Sequence, residues 1–236
     1  MDLEGCLNED QAAAVTHGDG PQLVLAGAGS GKTRVITYRI AWLIEERRID
    51  PRSITAVTFT NKAASEMLSR VEEVVDRSPL ESFVGTFHRF ALILLRRYGE
   101  RIGLKRGFMI LDDADQLSLV KQALKDESLA ETSFPARGML SRISDAKSRL
   151  VSAESMTERA DGFFAERLAR VYARYGQLLR RASGVDFDDL IAGAVEVLKS
   201  DREVRSRVRW RCHYLLVDEF QDTNHAQLSL VRELAG

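Results

Sequence analysis

Gln22-Leu23-Val24-Leu25-Ala26-Gly27-Ala28-Gly29-Ser30-Gly31-Lys32-Thr33-Arg34 is the stretch on which the fold turns. An apolar run of strand length, Gln22 to Ala26, leads into a loop of small residues. An amphipathic helix pattern follows, with Ile36, Ile40, Leu43 and Ile44 on one face. Small residues let the backbone curl tightly and present its N–H groups to phosphate oxygens. The helix start adds partial positive charge at the same point. In such a loop Lys32 reaches the β- and γ-phosphates and the Thr33 hydroxyl ligates Mg²⁺. ATP with Mg²⁺ is therefore the expected cofactor, cradled by Ala26, Gly27, Ala28, Gly29, Ser30, Gly31, Lys32 and Thr33. Ala26 stands where the strict pattern has glycine, a tolerable departure because the residues after it make the wrap.

Working outward, three more apolar runs have strand length: Ile54 to Phe59, Phe83 to Thr86 and His213 to Val217. Continuous rather than alternating hydrophobicity predicts strands buried on both faces, as in a parallel sheet. Met67, Leu68, Val71, Val74 and Val75 share a helix face between the second and third runs. Strand, helix, strand, helix, strand reads as a doubly wound α/β sheet. From about Phe90 to Ser183 the pattern is helical throughout, with stripes at Leu117, Val120 and Leu124 and at Phe164, Leu168, Val171, Tyr175 and Leu178. The expected organisation is an α/β domain over 1–90 and 184–236, interrupted by a helical insert over 91–183. Four strands are fewer than most doubly wound sheets contain, and the last helix pattern runs into Ala235-Gly236. The sequence therefore reads as the front part of a longer protein.

The fourth run ends in acid. Leu215-Leu216-Val217-Asp218-Glu219 places two carboxylates at a strand end, where open α/β sheets carry their active sites. Paired with a phosphate loop, Asp218 is expected to hold Mg²⁺, and Glu219 to orient and deprotonate the attacking water. Lys32, Asp218 and Glu219 are the expected catalytic set, with Thr33 and Asp218 at the metal.

Composition excludes little. The 236 residues carry 34 basic and 35 acidic side chains, a net charge of -1, so total charge does not announce nucleic acid. The acidic start lacks the features of a secretory signal, and no apolar run is long enough to cross a bilayer. Cys6 and Cys212 suggest neither a disulfide framework nor a zinc site, and a cytoplasmic location is expected. Asp112, Asp113 and Asp115, like Asp186, Asp188 and Asp189, precede apolar helix runs and read as helix caps rather than metal sites. Between Arg137 and Arg181 the insert is locally basic. Arg167, Arg170, Arg174 and Arg181 share a helix face, read more readily as a solvated face than as a grip on phosphates.

The motifs together resemble the first half of the UvrD/Rep/PcrA-type superfamily 1 DNA helicases, over essentially the whole chain. Leu7-Asn8-Glu9-Asp10-Gln11 resembles that family's Q motif, and Ala26 to Arg34 its motif I. Thr58 to Ala64 with Glu66-Met67 resembles motif Ia, and Gly85-Thr86-Phe87-His88 the next DNA-contacting motif. Val217 to Asn224 resembles motif II. The resemblance implies a RecA-like P-loop NTPase sheet with an inserted helical subdomain. It also implies a motor moving 3′ to 5′ on single-stranded DNA and unwinding duplex at single-strand/duplex junctions. By the same resemblance Gln11 reads the adenine edge and Arg34 lies near the nucleotide. Phe59, Thr60, Asn61, Lys62, Thr86, Phe87 and His88 contact DNA, a mixture of rings, polar groups and cation suited to bases and backbone. A second RecA-like domain, absent from this chain, supplies arginines in the family, so the chain alone is expected to hydrolyse ATP poorly. Repair, replication-restart and recombination roles all satisfy these motifs, and none of them assigns an oligomeric state. Two other readings satisfy part of the sequence: a non-unwinding module that binds ATP and single-stranded DNA, and an unrelated P-loop phosphotransferase.

Overall fold

Asn8 caps the first helix, α1 (Glu9–Thr16): its side chain accepts from the Gln11 amide, and the Gln11 side chain accepts from the Asn8 amide. This reciprocal capping box satisfies two of the donors that a helix start leaves without partners. The computed structural model describes residues 5–27, 29–76, 78 and 80–236. After α1 come α2 (Lys32–Glu45), β1 (Ile54–Thr58), α3 (Asn61–Val74), β2 (Phe83–Thr86) and α4 (Phe87–Tyr98). The middle holds β3 (Met109–Ile110), α5 (Asp113–Asp126), α6 (Ala136–Ser148), α7 (Ala153–Arg159), α8 (Phe163–Arg181) and β4 (Gly184–Val185). The chain continues through α9 (Phe187–Ser200), α10 (Arg202–Arg211), β5 (Tyr214–Val217) and α11 (His225–Ala235).

The main sheet is parallel, ordered β2-β1-β5, with Thr58 opposite Thr86 and Val57 opposite Val217. β1 lies in the middle and is buried along its whole length, as its continuous apolar sequence predicts. Ile40, Leu43 and Ile44 of α2 and Met67 and Val71 of α3 pack with Ile54 and Ala56 of β1 in one core. Each of these side chains except Ala56 contributes about 1.5–3 kcal/mol on full burial.

One expected strand is not a strand. Gln22 to Ala26 forms no ladder among the described residues, and Leu23 and Leu25 are 69% and 85% exposed. Apolar continuity measures how much a segment gains by burial, whereas strand formation also requires a neighbour that offers its backbone groups. β5, which could offer an edge, is bonded among the described residues only to β1 and is half-buried throughout.

Two compact units divide the chain. The first comprises Met1–Phe90, Ser206–Asp222 and Leu234–Gly236; the second comprises Ala91–Arg205 and Thr223–Glu233. Residues 184–205, grouped with the sheet in the sequence reading, fall in the second unit, where α9 packs against α6. Within that unit the pair β3 and β4, parallel and two residues each, flanks the run from α5 to α8. Asp112 caps α5 and Asp186 caps α9, both by accepting from first-turn amides. Leu124, Met139, Ile143, Val171 and Tyr175 form the unit's core. No helix among the described residues is long and apolar enough to cross a membrane.

In the first unit the end of α1 is closed by a side chain from α2. Arg39 donates to the carbonyls of Val15 and His17, both at 2.8 Å, and of Gly18 at 3.2 Å. Helix ends leave carbonyls without partners, and Val15 itself is buried. Arg39→Leu, which keeps an apolar stem, is expected to destabilise the chain by about 1–3 kcal/mol. Urea unfolding followed by circular dichroism reads this directly; an unchanged midpoint would mean that water serves these carbonyls equally well.

Candidate functional site

The loop between Ala26 and α2 is shaped by two glycines. Gly29 and Gly31 adopt φ of 74° and 88°, a region that side chains disfavour. A Cβ on Gly31 would also meet the Gln11 Nε2 at 2.8 Å. Ser30 folds back on the loop, its hydroxyl donating to the Gly27 carbonyl at 2.6 Å. Gly31 is the N-cap of α2 and has no side chain to cap it, so the first-turn amides are left to an outside acceptor. Ala28, one of the expected loop residues, lies outside the described residues.

Lys32 opens α2 and turns into this loop. Its ammonium donates to the Ala26 and Gly27 carbonyls, each at 3.3 Å, and lies 3.9 Å from Glu219 Oε1. Thr33 is next on the helix and is half-buried. The Gln11 amide is already engaged at both ends, accepting from Asn8 and donating to the Ser30 carbonyl at 2.9 Å. It therefore links α1 to the loop, and an adenine edge would have to compete for that donor. Arg34, two residues further on, donates to the Cys6 carbonyl at 3.4 Å.

Asp218 follows β5 and continues its ladder, its amide donating to the Val57 carbonyl at 2.9 Å. The side chain is buried. Oδ2 accepts from the Thr58 hydroxyl at 3.3 Å, but Oδ1 is buried with no hydrogen-bond partner. Burial and the neighbouring Glu219 raise the Asp218 carboxyl above its usual range, against the opposing pull of the Thr58 bond and Lys32. A buried carboxylate oxygen without a partner is costly, and a hard divalent cation is the group that relieves it. Asp218 thus fits Mg²⁺. No cluster of three or more ligating side chains exists among the described residues, and Mg²⁺ bound with a nucleotide needs only one or two carboxylates. Held there, the cation would neutralise charge on the phosphates.

Glu219 turns the chain sharply, at φ 48°, a value uncommon outside glycine. The Gln221 amide donates to its Oε2 at 2.6 Å and fixes the carboxylate on the Lys32 side. Lys32, Asp218 and Glu219 thus lie together at the carboxyl end of the sheet, where its topology predicts a site.

The ends of β1 and β2 are neighbours because their register pairs Thr58 with Thr86. Beyond β1, Phe59 is half-buried, Thr60 caps α3, and Asn61 and Lys62 are exposed. Beyond β2, Phe87 is only 2% exposed and packs edge-on to Phe59, with centroids 5.7 Å apart. Its ring is thus covered by the protein and braces that of Phe59. Thr86 is buried too, its hydroxyl accepting from the Arg89 amide at 3.2 Å, while His88 is half-buried. Sequence reasoning did not single out Thr58 and Gln221, which position the two carboxylates. A hydroxyl at the end of the adjacent parallel strand is the signal that could have found Thr58.

Residues 7–236 match the family model described as the UvrD/REP helicase N-terminal domain. The ATP-dependent DNA helicase PcrA of Bacillus subtilis is 44% identical over 229 residues, covering 97% of this chain and 31% of that protein. Its namesakes in Staphylococcus epidermidis and Staphylococcus aureus are 42% and 40% identical over 230 residues, covering 98% of this chain and 32% of theirs. The chain thus spans about a third of the length of these relatives.

Proposed function

The chain belongs to the UvrD/REP helicase N-terminal domain family, and from that premise we propose that it is the ATP-binding part of a motor that moves on single-stranded DNA and unwinds duplex. One observation carries the proposal. The unpartnered Asp218 oxygen, the Lys32 ammonium and the Glu219 carboxylate converge on the phosphate loop. That site sits at the strand ends from which Phe59 to Lys62 project.

ATP binds through the amides of the loop and α2, with Lys32 on the phosphates and Asp218 and Thr33 on Mg²⁺. Glu219 takes the proton of the attacking water. Phe59 stacks on a base with Phe87 behind it, while Asn61 and Lys62 meet the backbone. The 3′ to 5′ direction rests on the resemblance of the motifs, as does the division into a RecA-like core and a helical insert. Two free thiols, Cys6 exposed and Cys212 buried, suit the reducing cytoplasm we propose as the compartment.

Titration of the purified chain with a fluorescent ATP analogue and Mg²⁺, alongside Lys32→Ala, tests the core of this reading. A lysine–phosphate contact is a charge-assisted bond of about 1.5–3 kcal/mol, so affinity is expected to fall roughly 10- to 100-fold in the variant. Equal binding by the two proteins would move the phosphate site away from this loop.

A further inference from the structure

We infer that the helical unit carries a second contact for single-stranded nucleic acid, made by Phe163 and Phe164 at the start of α8 with the guanidinium groups of Arg142 and Arg167. The inference rests on the proposed DNA-binding function and adds a place where bases stack. Two consecutive phenylalanines open α8 at the surface, 65% and 40% exposed. They are not loose. The buried Phe134 stacks on Phe164, with centroids 5.7 Å apart and planes 19° off parallel, and tilts against Phe163 at 6.3 Å. Arg142 lies over the Phe164 ring at 5.0 Å, and Arg167 over the Phe163 ring at 4.9 Å.

The arginines narrow the ligand. On the same helix, Arg170 and Arg174 are ion-paired with Glu127 and Asp126. Arg142 and Arg167 have no carboxylate partner among the described residues, and the buried Nε of Arg167 has no acceptor. Of the eight Lys or Arg that α6 and α8 carry, Lys147, Arg170 and Arg174 are held by carboxylates from other elements, which leaves Arg137, Arg142, Arg167, Arg180 and Arg181 against Asp145 and Glu166. A ligand that suits this patch presents a flat apolar face to the rings and anionic acceptors to the guanidinium groups. Single-stranded nucleic acid unites the two, because unpaired bases stack on aromatic and arginine planes while phosphates accept from the arginines. Duplex offers the phosphates but keeps its bases in the helix. An acidic protein segment offers the charge but no base to stack.

The test compares a short oligothymidylate with an abasic oligomer of the same phosphate number, both binding the full chain. A second oligothymidylate carries 5-iodouracil for photocrosslinking. The crosslinked peptides are expected to include the one holding Phe163 and Phe164. In Phe163→Ala/Phe164→Ala, affinity for oligothymidylate should drop about tenfold, with abasic binding unchanged. Arg142→Gln/Arg167→Gln should weaken both oligomers. Phe163→Ala alone, at the more exposed position, serves if the double variant fails to fold. Wild-type affinity in the phenylalanine variants, or crosslinks confined to Phe59, would overturn this site while leaving the DNA reading intact. Failure of the unaltered chain to bind any oligonucleotide would overturn both.

Discussion

Glu219→Gln, assayed in the full-length gene product, is expected to lower DNA-stimulated ATP hydrolysis by about 10²–10⁴-fold, the usual contribution of a positioned general base. Nucleotide affinity should stay close to that of the unaltered protein. Glutamine keeps the volume and one acceptor oxygen of the side chain, so the hydrogen bond from Gln221 survives. It cannot take a proton. The substitution thus separates holding the water from deprotonating it, which alanine would not do. Geometry favours Glu219 for this step over its neighbour. Asp218 is buried, with one oxygen engaged by Thr58 and the other without a hydrogen-bond partner, whereas the Glu219 side chain is partly open and 3.9 Å from Lys32. The measurement is steady-state phosphate release with and without single-stranded DNA, beside a binding titration. Turnover at the unaltered rate would remove Glu219 as the proton acceptor. A joint loss of turnover and binding would instead make it a ligand-holding group.

What the sequence could and could not reveal follows from how local each cause is. The phosphate loop, Asp218 and Glu219 were legible because their chemistry is written in consecutive residues, and the fold brings them together at one end of the sheet. Asp112 and Asp186 were legible as caps for the same reason: a cap and its amides are neighbours in sequence. Failures came where the deciding partner is remote. Leu23 to Leu25 have the composition of a buried strand, but no run of residues states whether a neighbouring backbone is present to pair with it. Phe59 and Phe87 occupy equivalent positions after two strands, and sequence cannot say which ring covers the other. β3 and β4 are each two residues long, too short for any periodicity to register. The bond between Lys147 and Asp186 spans 39 residues and left no trace in the reading of either.

That bond leads to the largest expected effect on stability. Lys147 on α6 is buried, with its ammonium 2.5 Å from Asp186 Oδ2 and 2.7 Å from Asp189 Oδ1. The Tyr175 hydroxyl of α8 donates to the same Asp186 oxygen at 2.9 Å, and the ammonium lies 5.1 Å from the Tyr175 ring centroid. Three helices are thus tied by one charge cluster that also caps α9. Burial opposes the lysine charge, but Asp189 and Asp186 together hold it above its ordinary value. Lys147→Met fills similar volume and leaves two carboxylates without their cation. The expected cost is about 3–5 kcal/mol, the usual penalty for removing one partner of a buried pair. It is read from the urea midpoint of the chain.

The sign of the pH dependence identifies the cause. Burial already raises the Asp189 carboxyl, and Lys147 is the strongest influence pulling it down. Without Lys147 its folded value rises further, so the folded variant binds protons more readily than the unfolded chain. Stability of Lys147→Met should therefore recover as pH falls from about 7 towards 5, approaching the ordinary carboxylate range. Replacing the carboxylates in the same variant by Asp186→Asn and Asp189→Asn should also recover part of the loss, since it removes the uncompensated charges while keeping capping oxygens. A loss that is the same at both pH values and survives the asparagine substitutions would trace the effect to packing rather than charge.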